Sequence, residues 1–228
     1  MDTASLDNPV WHCLGGAHAQ FGVHSALARR YRREVTQIGA TAQPGFAALE
    51  ALAALTEPGE ALYLGVEDCE PLPRCWALEA EKAMPQMILS QPAEAPAPGV
   101  EPVELGPADV AEMCALAELT HPGPFGPEMI RLGRFLGVRE NGRLLAMAGQ
   151  RFRLPGCVEI SGVCTHPDAQ GRGYARALMN HLAREIQRQG DTPFLHVIEE
   201  NTRAAGLYAR MGFTVRKRLW VRVLRRVN

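Results

Sequence analysis

Residues 157–190 leave the chain little conformational freedom. Cys157–Thr165 carries Val158, Ile160, Val163 and Thr165, a composition and spacing that predict a strand. Ala175, Leu178, Met179, Leu182, Ala183 and Ile186 then recur at the helical spacing i, i+3, i+4, i+7, i+8 and i+11, and Gly190 supplies the stop. Between strand and helix, Gly171 and Gly173 allow torsions that other residues resist. A helix with a single apolar stripe must lay it on something, and a sheet extending from the preceding strand is the simplest cover. The chain is therefore expected to be α/β.

The surrounding pattern extends this unit. Val100–Leu105 predicts a short strand, and Pro107–Leu119 a helix with Val110, Met113, Cys114 and Ala117 on one face. Three prolines and two glycines exclude regular structure from His121–Pro127. Phe135–Glu140 and Arg143–Phe152 flank Asn141-Gly142, a two-residue hairpin signal, and Leu154-Pro155-Gly156 marks a second turn. Phe194–Ile198 reads as a strand. Asn201 reads as the N-cap of a helix bearing Ala204, Leu207, Tyr208 and Met211, stopped by Gly212. Phe213–Leu224 alternates as one long final strand. The order β-α-(α)-β-β-β-α-β-α-β describes a mixed, mostly antiparallel sheet with flanking helices. The proline-rich stretch 91–99 reads as a linker dividing this part, 100–228, from a smaller α/β unit, 1–90. In that unit Leu49, Leu52 and Leu55 suit a helix, and Ala61–Val66, Cys75–Glu79 and Met87–Leu89 suit strands.

Charge narrows the partners. The net charge of -1 argues against a dedicated nucleic-acid binder. Residues 1–99 hold 6 basic and 12 acidic groups, a balance of -6, and residues 100–228 hold 18 and 13, a balance of +5. A basic half suits a polyanionic ligand, and the two halves also suit each other. The six cysteines lack C-x-x-C or His partner spacing and read as reduced thiols, so no metal site is expected. No secretory leader pattern opens the chain, and the uncharged run Val35–Leu49 is too short and polar to span a bilayer. The expectation is a cytoplasmic protein, monomer or homodimer, that engages neither nucleic acid nor membrane.

The segment Gln170-Gly171-Arg172-Gly173-Tyr174-Ala175 joins glycine-exposed N–H groups to a helix start, the arrangement of a pyrophosphate cradle, with Arg172 as a further contact. Arg176 stands where a Rossmann fingerprint needs glycine, and the P-loop ending is absent, so a dinucleotide oxidoreductase is disfavoured. The segment resembles the Q/R-x-x-G-x-G/A signature of the GNAT superfamily of acyl-CoA-dependent N-acyltransferases. Asn201, Tyr208 and Gly212-Phe213 match that family's second marker, and the resemblance spans about residues 100–228. The two-part layout is similar to the glycine N-acyltransferase-like branch, with residues 1–90 as a degenerate acyltransferase-like half.

The resemblance implies an N-acetyltransferase that uses acetyl-CoA as co-substrate and a small-molecule or peptide amine as acceptor. It implies that the backbone of Val163, Cys164 and Thr165 pairs with the pantetheine arm, and that Gln170 and Gly171 to Ala175 hold the pyrophosphate. Asn201 would contact the pantetheine, and Tyr208 would be the acid beside the thioester sulfur. Glu159, eleven residues before Gln170, lies at the offset where histone-modifying members place their glutamate base. His196 on the next strand is a further candidate, whereas His166, in a His-Pro turn, reads as structural. The 120–127 loop and Glu199-Glu200 would build the acceptor side. The alternative to an enzyme is an acyl-CoA-binding sensor or interaction module without turnover.

Overall fold

The structure, a computed structural model, describes residues 4–95 and 99–227. The first half contains α1 (Pro9–Leu14), β1 (Gly22–His24), β2 (Ala28–Tyr31), β3 (Ile38–Thr41), α2 (Phe46–Ala54), β4 (Ala61–Val66), β5 (Trp76–Ala83) and β6 (Gln86–Ile88). The second half contains β7 (Val103–Leu105), α3 (Val110–Thr120), β8 (Phe135–Glu140), β9 (Arg143–Leu154), β10 (Cys157–Thr165), α4 (Tyr174–Arg188), β11 (Thr192–His196), α5 (Thr202–Arg210), β12 (Thr214–Lys217) and β13 (Trp220–Arg226). The expected α/β class is what the chain forms, and the order of elements from residue 100 to α5 is the expected one.

Local chemistry accounts for the central elements. Asn141 (φ 51°) and Gly142 (φ 81°) both adopt left-handed torsions, so β8 and β9 close through a tight hairpin. The apolar stripe of α4 is buried from Leu178 onward: Leu178, Met179, Leu182, Ala183 and Ile186 pack against Val158, Ile160, Ala146, Ala148 and Leu195 of the sheet. Leu178, Met179, Leu182 and Ile186 each contribute on the order of 2–5 kcal/mol relative to alanine.

The two sheets are interlocked. One has the order β1-β2-β3-β4-β13-β5, the other β12-β6-β11-β10-β9-β8-β7. Thus β6, from the first ninety residues, separates β12 from β11, and β13, near the end, separates β4 from β5. Two expectations change. The single strand over Phe213–Leu224 is two strands in different sheets, because the chain leaves one sheet at Lys217 and enters the other at Trp220; the alternation continues across the break and hides it. Nor does the stretch at 91–99 divide the sheets. Its residues 96–98 lie outside the described ones, while Ala93 is buried, its N–H donated to Gln187 Oε1 (2.9 Å), and Gln187 Nε2 donates to Gln91 O (2.7 Å). Residues 91–95 are thus strapped to α4.

The uneven charge is answered inside the molecule: Arg216 and Lys217 pair with Asp7, Lys217 also with Glu67, Arg225 with Glu79 and Arg222 with Glu81.

Interlocking has a direct test. The segment 100–228 expressed alone would lack the strand between β11 and β12 and would carry β13 without either neighbour. We expect it to aggregate or show no cooperative thermal transition, in contrast to the whole chain; a cooperative, soluble 100–228 segment would show that the exchanged strands are dispensable.

Candidate active site

Strand β10 delivers the chain to the glycine loop. After it, His166 Nδ1 accepts the Asp168 N–H (3.2 Å) and His166 O accepts the Ala169 N–H (2.9 Å), so His166 folds the one-turn 3-10 helix Pro167–Ala169 and is structural, as expected. Gly171 (φ 80°) and Gly173 (φ 82°) are left-handed, and the space where a Cβ would stand at either is empty to 4 Å. Gly173 is the N-cap of α4 and supplies no side chain; the first helical bond is Ala177 N–H to Gly173 O (3.0 Å). The N–H groups of Tyr174, Ala175 and Arg176 therefore have no partner within the helix, and they form the positive end of a fifteen-residue dipole. An anion fits there without displacing anything the fold requires.

The side chains of the loop are differently engaged. Arg172 pairs with Glu140 (3.0 Å) and donates to Asp168 O (3.1 Å), and Tyr174 donates its hydroxyl to the same Glu140. Gln170 Oε1 accepts from Arg203, at the second position of α5. Arg203 escaped the sequence reading, although a signal exists. A cation in the first turn of a helix opposes the dipole, so its presence there calls for an anionic or polar partner nearby.

Beside the loop the sheet opens. Strands β10 and β11 pair in parallel only from Cys157–Glu159 to Thr192–Phe194, although β10 runs on to Thr165. Past His196 the chain of β11 turns to the opposite side, donating Val197 N–H to Pro85 O (3.1 Å) and Glu199 N–H to Ala83 O (2.9 Å). Strand β10 stays with β9 through Cys164–Met147 and Thr165–Ala146, with a register shift at Gly162 (φ 62°). The ladder groups of Val163, Cys164 and Thr165 on the β11 side thus border a wedge rather than another strand. Phe135 and Phe125 crowd Gly162, at 3.2 and 3.6 Å from its absent Cβ, so the 121–127 loop does reach the bulge.

Across the wedge stands α5. Asn201 caps it, its side chain accepting the Ala204 N–H (3.1 Å). Tyr208 is buried (8% exposed) against Phe213, 6.3 Å between ring centres. Burial, with the Cys164 thiol nearby, pushes its hydroxyl up to about 12; burial likewise pushes Cys164 up to about 11. Two residues singled out from separate stretches of sequence are brought together, and both keep their protons at neutral pH.

Glu159 is a correction. Its carboxylate is fully buried, and it accepts from Arg151 Nε (2.6 Å), Arg151 Nη2 (2.8 Å) and His196 Nδ1 (2.7 Å). Burial alone would raise its pKa, but the guanidinium and imidazole overcome that and hold it down at about 2. A carboxylate so reluctant to take a proton is not a base at neutral pH. His196 is committed as well: with Nδ1–H given to Glu159, its Nε2 accepts from Gln86 Nε2 (3.1 Å). Gln86 in turn donates to Leu6 O (2.9 Å) and accepts from Arg216 (3.0 Å). The sequence shows Glu159 on an alternating strand but not which cation on β9 lies opposite. The acceptor-side pair is also occupied, Glu199 by Arg218 and Glu200 by Lys82 (3.2 Å).

Among the described residues no helix is long and apolar enough to cross a membrane, and no group of three or more His, Cys, Asp or Glu could hold a metal ion.

Glu159→Gln should leave Arg151 buried without its counter-charge and cost about 3–5 kcal/mol in urea unfolding. Because Glu159 titrates lower folded than unfolded, its contribution is complete above the ordinary carboxylate value of 4.5 and disappears as pH falls toward about 2. The native protein should lose stability across that window more steeply than the variant. Parallel pH curves would show that the pair stabilises nothing.

The FR47-like protein family matches residues 135–221, from β8 into β13. A GNAT-family protein of known structure from Novosphingobium aromaticivorans is 34% identical over 98% of this chain and 99% of its own, with a TM-score of 0.90. A GCN5-related N-acetyltransferase from Kribbella flavida, 18% identical over 93% of this chain and 94% of its own, shares the fold at a TM-score of 0.61. A Drosophila protein does so at 0.64, with 20% identity over 86% and 73% of the two chains. No curated protein matches the chain.

Proposed function

Because this chain belongs to the GNAT family, we propose that it is an N-acyltransferase that moves an acetyl or other acyl group from acyl-CoA to a primary amine by direct attack. The observation that carries this reading is the uncapped start of α4, set behind two left-handed glycines with open space and opening onto the wedge between β10 and β11.

Bound acyl-CoA supplies the thioester, an acyl group already activated for attack. The N–H groups from Gly171 to Ala175 hold its pyrophosphate, with Gln170 and Arg203 at the rim, and the free edge of Val163 to Thr165 pairs with the pantetheine amides. Asn201, which caps α5, fixes the far wall of the wedge. The attacking amine must lose a proton, and with Glu159 and His196 committed to each other that proton leaves to water in the cleft. Tyr208 keeps its own proton at neutral pH and donates it as a hydrogen bond to the sulfur as the carbon–sulfur bond breaks. The phenol regains from solvent any proton that the thiolate keeps. The reading places the protein in the cytoplasm and retains the likeness to the glycine N-acyltransferase-like branch, with the first ninety residues descended from a second acyltransferase-like half.

A binding module without turnover draws on one observation, that both candidate bases are locked into the sheet. Thiol release from acetyl-CoA across a panel of amines separates the two readings; no release with any acceptor would favour the module.

Two variants test the parts. Gly173→Val forces a β-branched side chain into φ 82° and into the mouth of the cradle, so saturable CoA binding should vanish while the domain stays folded. Unchanged affinity would remove the cradle. Tyr208→Phe keeps the ring and removes the donor, so kcat should fall roughly 10²-fold with CoA binding nearly intact; equal rates would make Tyr208 a packing residue.

A further inference from the structure

The first sheet carries a concavity of about 540 Å³ that shares no residue with the cradle, the wedge or α5. Its floor is Tyr63 of β4 and Val223 of β13, which pair across the ladder on the face opposite α2. Its rim is the turn 57–60 on one side and Arg33 on the other, and its size is that of a small-molecule site.

The charges around it do not cancel evenly. Glu60 is held by Arg30 through two hydrogen bonds, one at 2.6 Å, and both side chains are buried. Glu79 is taken by Arg225, which also donates to Gly59 O (2.6 Å). One cation and one anion remain without a contact partner, Arg33 and Glu57; both are exposed, and neither side chain makes an ion pair or hydrogen bond among the described residues, although the Arg33 charge helps to hold down the Glu60 carboxyl that Arg30 grips. Each is carried on ordered backbone. The turn bearing Glu57 closes through Glu60 N–H to Glu57 O (3.0 Å) and is tied to β13 from both directions, Gly59 N–H to Arg226 O and Arg226 N–H to Glu60 O, each 2.8 Å. Arg33 lies within a turn closed by Val35 and Thr36 N–H on Arg32 O (2.9 and 3.2 Å).

A simple anion placed here meets Glu57, and a simple cation meets Arg33. A molecule with one charge of each sign satisfies both and escapes both repulsions. We infer that this cavity is a second binding site, for a zwitterionic small molecule of the amino-acid class, with its carboxylate on Arg33, its ammonium on Glu57 and its carbon chain over Tyr63 and Val223. A guanidinium–carboxylate pair of this kind is bidentate and directional. The site is separate from the amine acceptor position, and its occupancy does not require turnover.

Calorimetric titration of the whole chain with glycine, β-alanine, γ-aminobutyrate, leucine and tyrosine tests it, since the series varies both charge separation and apolar body. At least one should bind at millimolar concentration or better, while its decarboxylated and N-acetylated analogues should not. Arg33→Met and Glu57→Gln should each weaken binding about tenfold or more, with CoA affinity and thermal unfolding unchanged. Failure of every zwitterion to bind, or binding that survives both substitutions, overturns the assignment. So does binding abolished by Gly173→Val, which would place the ligand in the acyl-CoA cleft instead.

Discussion

The Glu159 carboxylate sits without solvent contact between Arg151 and His196, at the last residue where β10 and β11 pair. Removing such groups from water costs several kcal/mol each, and the cost is recovered only when charges and hydrogen bonds meet in good geometry. That demand fixes the position of three strands relative to one another: β9 through Arg151, β10 through Glu159 and β11 through His196. Everything in the candidate site is downstream of it. One strand leads on to the glycine loop and α4, the next to Asn201 and α5, and the angle between them sets the width of the wedge. A residue that looks like a catalytic base in the sequence acts in the structure as the brace that holds the glycine loop and α5 apart.

Interlocked sheets reinforce the brace from outside. Gln86 closes the second hydrogen bond of His196 and belongs to a strand contributed by the first half of the chain. The imidazole's tautomer therefore depends on residues more than a hundred positions earlier. Acidic side chains of the first half meet basic ones of β12 and β13, which is where the charge asymmetry between the halves finds its purpose.

What the sequence reveals and what it conceals divide along the range of the interaction involved. The α4 stripe, the Asn141-Gly142 hairpin, the Asn201 cap and the glycine loop are each written within a dozen residues, and each is found where it was expected. The candidate site follows because its backbone donors and Tyr208 are local features of two such helices. Partners across strands are not local. Nothing near Glu159 announces Arg151 as its counter-charge, and nothing near Phe213–Leu224 announces a change of sheet, since the alternation of apolar and polar residues runs on across the break. The first three strands and α1 leave little local signal for a related reason: they are short, β1 is largely exposed, and what α1, β2 and β3 bury meets distant elements such as Phe152 and Phe194.

The place of β13 between β4 and β5 also imposes a schedule on biosynthesis. Ala61 must wait for Arg225 before its ladder position is filled, and Trp76 for Arg226. While the chain is emerging, β4 and β5 have no strand to join them, and α2 packs over an incomplete floor. Closing so long a loop is entropically costly, and the cost is met only by contacts that arrive together at the end. The early half of the protein is therefore committed to a prolonged, partly open existence on the ribosome, in which exposed strand edges depend on timely completion or on chaperones for protection.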